Sequence, residues 1–426
     1  MEIVENPPRE QWNKLTRRAE IKGESLHDTV ASILSKVKAE GDDALYQFAR
    51  DFDHVELGSL VVTPEEFAKA DTLVDESLKS AIRQAAANIE AFHAAQKMQP
   101  LCVTTADGVE CWQKPVAIER VGLYIPGGNA PLFSTVLMLA VPARIAGCKE
   151  IILTTPPDKQ GNIHPAILYA AMVAGVTTVI KTGGAQAIAA LAYGTATVPR
   201  VNKIFGPGNR FVTEAKKQVS ADGIAIDMPA GPSEVMIIAD SSADMDFVAA
   251  DFLSQAEHGP DSQSIMLTDS PEQAGRLSES IDKMLRRLPK QDMIMKSLQH
   301  SRVITFTNTD DLWDFANEYA PEHLIVNTVD PEVAFDKVIN AGSVFLGKYS
   351  PESVGDYASG TNHTLPTGGC AKAFSGVNLD SFIKKITFQR LSQDGIRNLA
   401  PVVATMAENE HLQAHRLAVD IRVEKI

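Results

Sequence analysis

The chain has 426 residues, 44% hydrophobic and 22% charged, with a formal net charge of −14 at pH 7. That length predicts two or three domains at about 150 residues each, and the composition is that of a globular protein. The acidic balance argues against a nucleic-acid or other polyanionic partner.

The first residues, MEIVENPPREQWNKL, hold no apolar signal core. The most apolar run, STVLMLAVPARIAG, is interrupted by Pro142 and Arg144, so no membrane span is expected. Cys102, Cys111, Cys148 and Cys370 are scattered without a C-x-x-C pair, which fits reduced thiols in the cytoplasm.

In chain order, Leu26, Val30, Ile33, Leu34 and Val37 have helical spacing within 24–50. Leu78, Ile82, Ala85, Ile89 and Phe92 line a second long helix. Short apolar runs then alternate with helical ones. ERVGLYIPGG, EIILTTP, TTVIKTGG and VNKIFGPG read as strands, each followed by an apolar helical stretch. The grammar restarts at SEVMIIAD, with helices over 244–258, 271–288, 310–319 and 331–340 between SIMLTD, RVITFT, EHLIVNT and GSVFL. Repeated βαβ predicts parallel sheets with helices on both faces. Two units of one grammar suggest a duplication, although no residue-level repeat is visible. From about Ser381 the chain reads as an amphipathic helical tail without a partner strand, which packs on its own chain or embraces a neighbour.

Four strand ends run into glycine: YIPGGNAP, TGGAQA, GPGNRF and PAGPSE. A single βα turn of this kind is ordinary. Four in one half of the chain point to a nucleotide cleft, because glycine lets a backbone approach phosphate beside a helix N-terminus. None matches G-x-G-x-x-G, so spacing does not say which nucleotide.

The histidines of four segments have chemically suggestive company. Gln255 and His258 are one helical turn apart in SQAEHGPDS, with Asp251 a turn earlier on the same face. By itself this pair is more often a helix end than a metal site, since Gln is a poor zinc ligand. Glu322 and His323 open a strand in YAPEHLIV, a carboxylate and an imidazole suited to proton transfer near neutral pH. SPESVGDYASGTNHTLPTGG gathers Glu352, Asp356, Tyr357 and His363 in a long polar loop, a kind that tends to be functional. His411 and His415 lie four apart in the tail, and spacing does not choose between them.

These segments carry a resemblance. VGLYIPGG, PLFSTVLMLA, GGAQAIAALAYGT, KIFGPGN, AIDMPAGPSEV, LSQAEHGPDSQ, APEHLI and SPESVGDYASGTNHTLPT make the chain similar to the L-histidinol dehydrogenase family over nearly its full length. The resemblance implies an α/β fold of two Rossmann-like open parallel-sheet domains, an N-terminal helical segment, and a C-terminal helical tail exchanged in a homodimer. It divides the chain into an N-terminal arm (1–20), a zinc/catalytic α/β domain (21–120 and 233–378), an NAD-binding Rossmann-like domain (121–232) and the domain-swapped tail (379–426).

It further implies one zinc ion per subunit on Gln255, His258, Asp356 and His415, and catalysis by Glu322 and His323. NAD contacts fall on Tyr124, Gln186 and Asn209. Substrate contacts fall on Ser233, Gln255, His258, His323, Asp356, His363, Glu410 and His415. The implied reaction is the four-electron oxidation of L-histidinol to L-histidine through L-histidinaldehyde, the final steps of histidine biosynthesis. A related enzyme for another small amino or polar alcohol would keep zinc and NAD, while Glu410 and His363 favour histidinol. A zinc hydrolase would leave the glycine loops unexplained, and a non-enzymatic scaffold would leave the Glu-His pair and the metal-capable side chains unexplained.

Overall fold

The computed structural model describes residues 1–18, 26–127, 130–228 and 231–426. The expected boundary between residues 20 and 21 lies outside the described residues, as do Gly128, Asn129, Pro229 and Ala230 of the glycine loops.

The chain opens with β1 (Glu2–Glu5) and α1 (Arg9–Leu15), then α2 (His27–Glu40), α3 (Asp42–Phe48), α4 (Pro64–Leu73) and α5 (Glu76–Ala94). A hairpin follows, β2 (Leu101–Ala106) and β3 (Val109–Ala117). The first alternating unit is β4 (Arg120–Tyr124), α6 (Phe133–Ala146), β5 (Glu150–Thr155), α7 (Pro165–Ala174), β6 (Thr178–Lys181), α8 (Gly184–Tyr193), β7 (Lys203–Phe205), α9 (Arg210–Ala221) and β8 (Ala225–Ile226). The second is β9 (Glu234–Ala239), α10 (Met245–Ala256), β10 (Gln263–Thr268), α11 (Pro271–Leu285), α12 (Gln291–Leu298), β11 (Arg302–Thr305), α13 (Thr309–Tyr319), β12 (His323–Asn327), α14 (Ala334–Lys337), β13 (Ser343–Leu346) and α15 (Glu352–Tyr357). The chain continues through β14 (Ile383–Leu391), α16 (Gln393–Asn409) and α17 (Gln413–Val423).

Local chemistry sets several of these boundaries. Thr63 and Glu66 cap α4 reciprocally, with Pro64 in its first turn. The Asp75 carboxylate accepts from Leu78 N to start α5. Gly41, at φ 59°, separates α2 from α3 and breaks the single helix expected over 24–50.

Two parallel sheets result. One runs β6-β5-β4-β7-β8, and the other runs β1-β11-β10-β9-β12-β13. Counted from β4 and from β9, both have the Rossmann-type order 3-2-1-4-5, without a sixth strand, and β1 is added at one edge of the second. The α/β class with two open parallel sheets is therefore observed.

Packing departs from expectation in two places. Helices α2 and α3 share a core with α8 and α9 on one face of the five-stranded sheet. Helices α4 and α5 pack with α6 and α7 on its other face. Residues 27–94 thus belong with this sheet, not with 233–378, because a helix's apolar periodicity shows a buried face without naming its partner. Helices α10, α11 and α12 cover one face of the six-stranded sheet, and α1 and α13 cover the other. There Trp12 meets Phe315 edge-on, with ring centroids 5.4 Å apart.

The second departure is the tail. Its start is strand β14, paired antiparallel with β3 along its whole length, and β2 completes that small sheet. The rest of the tail is the helices α16 and α17, and α17 buries no residue among the described residues of the chain. Among the described residues, no helix is long and apolar enough to cross a membrane.

Candidate active site

Strands β4 and β7 are neighbours at the point where the order of the first sheet reverses, which opens a crevice beyond their carboxyl ends. Tyr124, the last residue of β4, is buried, and its hydroxyl accepts from Gly184 N at 3.2 Å. Gln186 is buried in the first turn of α8. Asn209 caps α9, its Oδ1 accepting from Phe211 N (3.0 Å) and Val212 N (3.1 Å). All three line one cavity of about 980 Å³, a volume in the range of cofactor pockets.

Gly206 packs closely against the end of β4 beside this cavity. Its φ is +119°, and an added Cβ would lie 2.1 Å from the Tyr124 carbonyl oxygen. The buried Lys216–Asp227 pair holds it from below: Lys216 Nζ donates to Gly206 O at 3.0 Å, and Gly206 N donates to Asp227 Oδ2 at 2.8 Å.

The second constellation sits at the opposite end of the second sheet, where β9 and β12 begin. Glu322 and His323 are buried to 6% and 5% exposure. The backbone of Glu234, the first residue of β9, holds both. Its N–H donates to Glu322 Oε2 at 3.0 Å, and its carbonyl lies 3.3 Å from His323 Nδ1. A carbonyl only accepts, so Nδ1 carries the hydrogen. His323 Nε2 is 3.5 Å from Asp356 Oδ1 and is buried without a hydrogen-bond partner among the described residues.

Helices α10 and α15 bring up the remaining groups. Glu352 and Asp356 are four apart on α15, hence on one face. One donor atom each from His258, Glu352 and Asp356 lies within 4.8 Å of the others. Gln255 is fully buried; with its carboxamide turned to satisfy its neighbours, it donates to Glu352 Oε1 (3.1 Å) and Oε2 (3.2 Å) and accepts from Glu234 N (3.1 Å). Asp251 makes no hydrogen bond through its carboxylate to Gln255 or His258; burial raises that carboxyl to about 7.

The charge balance is strained. Burial pushes Glu322 up to about 8 and Glu352 up to about 7. Burial works to lower His323, but Glu322, Asp356 and Glu352 outweigh it and the imidazole is raised. Burial works to raise Asp356, but His323 and then His363 and His258 hold it below the usual carboxylate range.

A loop ties this centre to the first unit. Pro142 sits inside α6 and has no N–H, so it leaves the Met138 carbonyl without its helical partner. Asn362 Nδ2 fills that vacancy at 2.6 Å. Asn88 Nδ2 donates to Ala358 O at 2.8 Å from α5. His363 Nδ1 is 2.8 Å from Asp356 O, and its Nε2 is 3.1 Å from Thr135 Oγ1 on α6.

One chain thus gathers Gln255, His258, Glu322, His323, Asp356 and His363. Ser233 adjoins them, half-buried just before β9. Tyr124, Gln186 and Asn209 gather separately in the cavity of the first unit. Glu410 and His415 join neither group and are exposed on the tail. Sequence reasoning gave no role to Glu352, Glu234 or Thr135. The four-residue step from Glu352 to Asp356 was a usable signal for the first. The other two read as a strand residue and a core helix residue.

The comparisons agree with this arrangement. The histidinol dehydrogenase family profile matches residues 16–423. Histidinol dehydrogenase from Bacteroides thetaiotaomicron is 56% identical over 426 residues, covering all of both chains. That from Salmonella typhimurium is 51% identical over 421 residues, covering 98% of this chain and 96% of the relative. The crystal structure of histidinol dehydrogenase from Elizabethkingia anophelis superposes with a TM-score of 0.98 at 49% identity, covering 100% of this chain and 98% of that one. With two Rossmann-like sheets, a buried Glu-His pair and full-length likeness to these enzymes, the chain belongs to the histidinol dehydrogenase family.

Proposed function

We propose that the chain oxidises L-histidinol to L-histidine in two NAD-dependent steps through L-histidinaldehyde, with one zinc ion per subunit, as a cytoplasmic homodimer that exchanges its tails. The observation that carries this reading is His323 Nε2, a buried nitrogen beside Asp356 that has no hydrogen-bond partner among the described residues.

The residues fit the metal. His258 and Asp356 supply the nitrogen and carboxylate donors that zinc prefers, and Gln255 and the partner subunit's His415 complete the set. Glu352 then holds the Gln255 carboxamide. Bound zinc would fix the substrate nitrogens and offset the negative charge that raises His323. Tyr124, Gln186 and Asn209, which line one cavity, would hold NAD, and bound NAD would supply the hydride acceptor for both steps.

His323 takes the hydroxyl proton of histidinol on Nε2, while its Nδ1–H stays on the Glu234 carbonyl, so the ring does not swing as it changes charge. Once His323 has released that proton to solvent, Glu322 and His323 draw a proton from the water that attacks the aldehyde. Ser233, His363 and the partner subunit's Glu410 contact the substrate. The division of labour follows the two sheets, with cofactor at 121–232 and chemistry at 233–378.

Counting products tests the reading as a whole: each histidinol consumed is expected to yield two NADH, and a ratio of one would overturn the four-electron assignment. A second result tests the cofactor cleft. Gly206→Ala is expected to raise KM for NAD by about tenfold, since an L-residue is strained at this φ and its Cβ meets the Tyr124 carbonyl. Histidinol affinity measured without NAD should be unchanged.

A further inference from the structure

We propose that Thr135 and His363 form a relay by which α6, a helix of the cofactor unit, positions Asp356 for metal binding. The inference rests on the reading of Asp356 as a zinc ligand and adds a role for His363 beyond any contact with substrate.

The relay is read from two bonds on one ring. His363 Nδ1 lies 2.8 Å from the Asp356 carbonyl oxygen, which only accepts, so Nδ1 carries a hydrogen and donates. In the neutral ring Nε2 is then the accepting nitrogen, and Thr135 Oγ1 at 3.1 Å is the donor it meets. Bonds at opposite edges of an imidazole fix both its plane and its tautomer. Without the hydroxyl, Nε2 loses its partner and the ring is held at one edge only, which loosens the bond to the Asp356 carbonyl.

The anchor is rigid for two reasons. Thr135 is 2% exposed, and its β-branched side chain has few χ1 states on a helix. Thr135 and Met138 are three apart on α6, hence on one face, and Met138 O binds Asn362 at 2.6 Å. Neighbouring loop residues 362 and 363 are thus both pinned to the same helix face. Asp356 is the group that receives the effect, standing with His258 and Glu352 in the metal cluster and 3.5 Å from His323 Nε2. Partners of this outer kind change metal affinity by roughly 10- to 100-fold when removed.

The test reads zinc affinity directly, by competition with a chromogenic chelator, in the full-length protein. Thr135→Val keeps the volume and removes the hydroxyl; it is expected to weaken zinc about tenfold. Thr135→Ser restores the donor and should bind as the parent does. KM for NAD should stay unchanged in both. Unchanged zinc affinity in Thr135→Val would overturn the relay. So would a loss of zinc affinity accompanied by an equal rise in KM for NAD, or the same loss in Thr135→Ser, because loosening of α6 would then be the cause. Asp356→Asn separates the two layers of the argument. Parent-like zinc affinity in that variant removes Asp356 from the metal site and the relay with it, whereas weak binding there with parent-like Thr135→Val overturns the relay alone.

Discussion

His323→Asn is expected to lower kcat for histidinol by about a thousandfold, in the middle of the range for loss of a general base, while KM for NAD stays near its original value. The size of the effect follows from where the ring sits. Its Nδ1 is tied to the Glu234 carbonyl and its Nε2 has no hydrogen-bond partner among the described residues, so the ring is oriented before any proton moves. At 5% exposure, bulk water has little access to take over the role. Asn retains a donor for the Glu234 carbonyl but offers no basic nitrogen in the position of Nε2. A kcat reduced less than tenfold, in protein that still binds histidinol, would remove His323 from the base role. Glu322→Gln adds a contrast: aldehyde oxidation, assayed separately, should suffer more than alcohol oxidation, because only that step needs an activated water.

The second large effect is a recovery. His415→Ala protein and His258→Ala protein should each be nearly inactive alone. Mixed in equal amounts and allowed to exchange, they should regain about a quarter of parental activity. Half of the dimers are then mixed, and each mixed dimer carries one undamaged site. The prediction depends on a tail that serves the neighbouring subunit. Within one chain α16 and α17 pack mainly on each other, α17 buries nothing, and Met406 and Leu417 stay 60% and 61% exposed. Subunit exchange verified by native mass spectrometry, with no return of activity, would place His415 in its own subunit's site or in none.

Much of the fold was legible because strands buried on both faces read as unbroken apolar runs and their helices as periodic ones. What escaped was set by information that hydrophobicity does not carry. Gly41 splits a helix through a left-handed backbone that apolar spacing cannot register. Strand β14, IKKITFQRL, is largely exposed and lacks a buried alternating face in its own chain, so it did not read as a strand. The α2–α5 helices showed their apolar faces without showing which sheet would receive them.

In the site, Gln255 and His258 were visible as a one-turn pair, and Glu322–His323 as a dipeptide at a strand start. Their roles came from resemblance to a family, since short spacings are common. Thr135 was invisible because it sits in a strongly apolar, buried helix and reads there as core. Glu352 was in view one turn before Asp356, but a carboxylate in a polar loop does not announce that its partner is a buried amide.

Pro142 shows how a local defect can serve a distant purpose. An engineer seeking thermostability would replace a proline in the interior of α6 with alanine, since helices strongly prefer it. The new N–H would reclaim the Met138 carbonyl and displace Asn362 from it. The helix would be stronger, and the segment carrying Asp356 and His363 would lose one of its moorings. Selection for melting temperature alone would therefore erode the enzyme from a position that touches neither substrate nor cofactor.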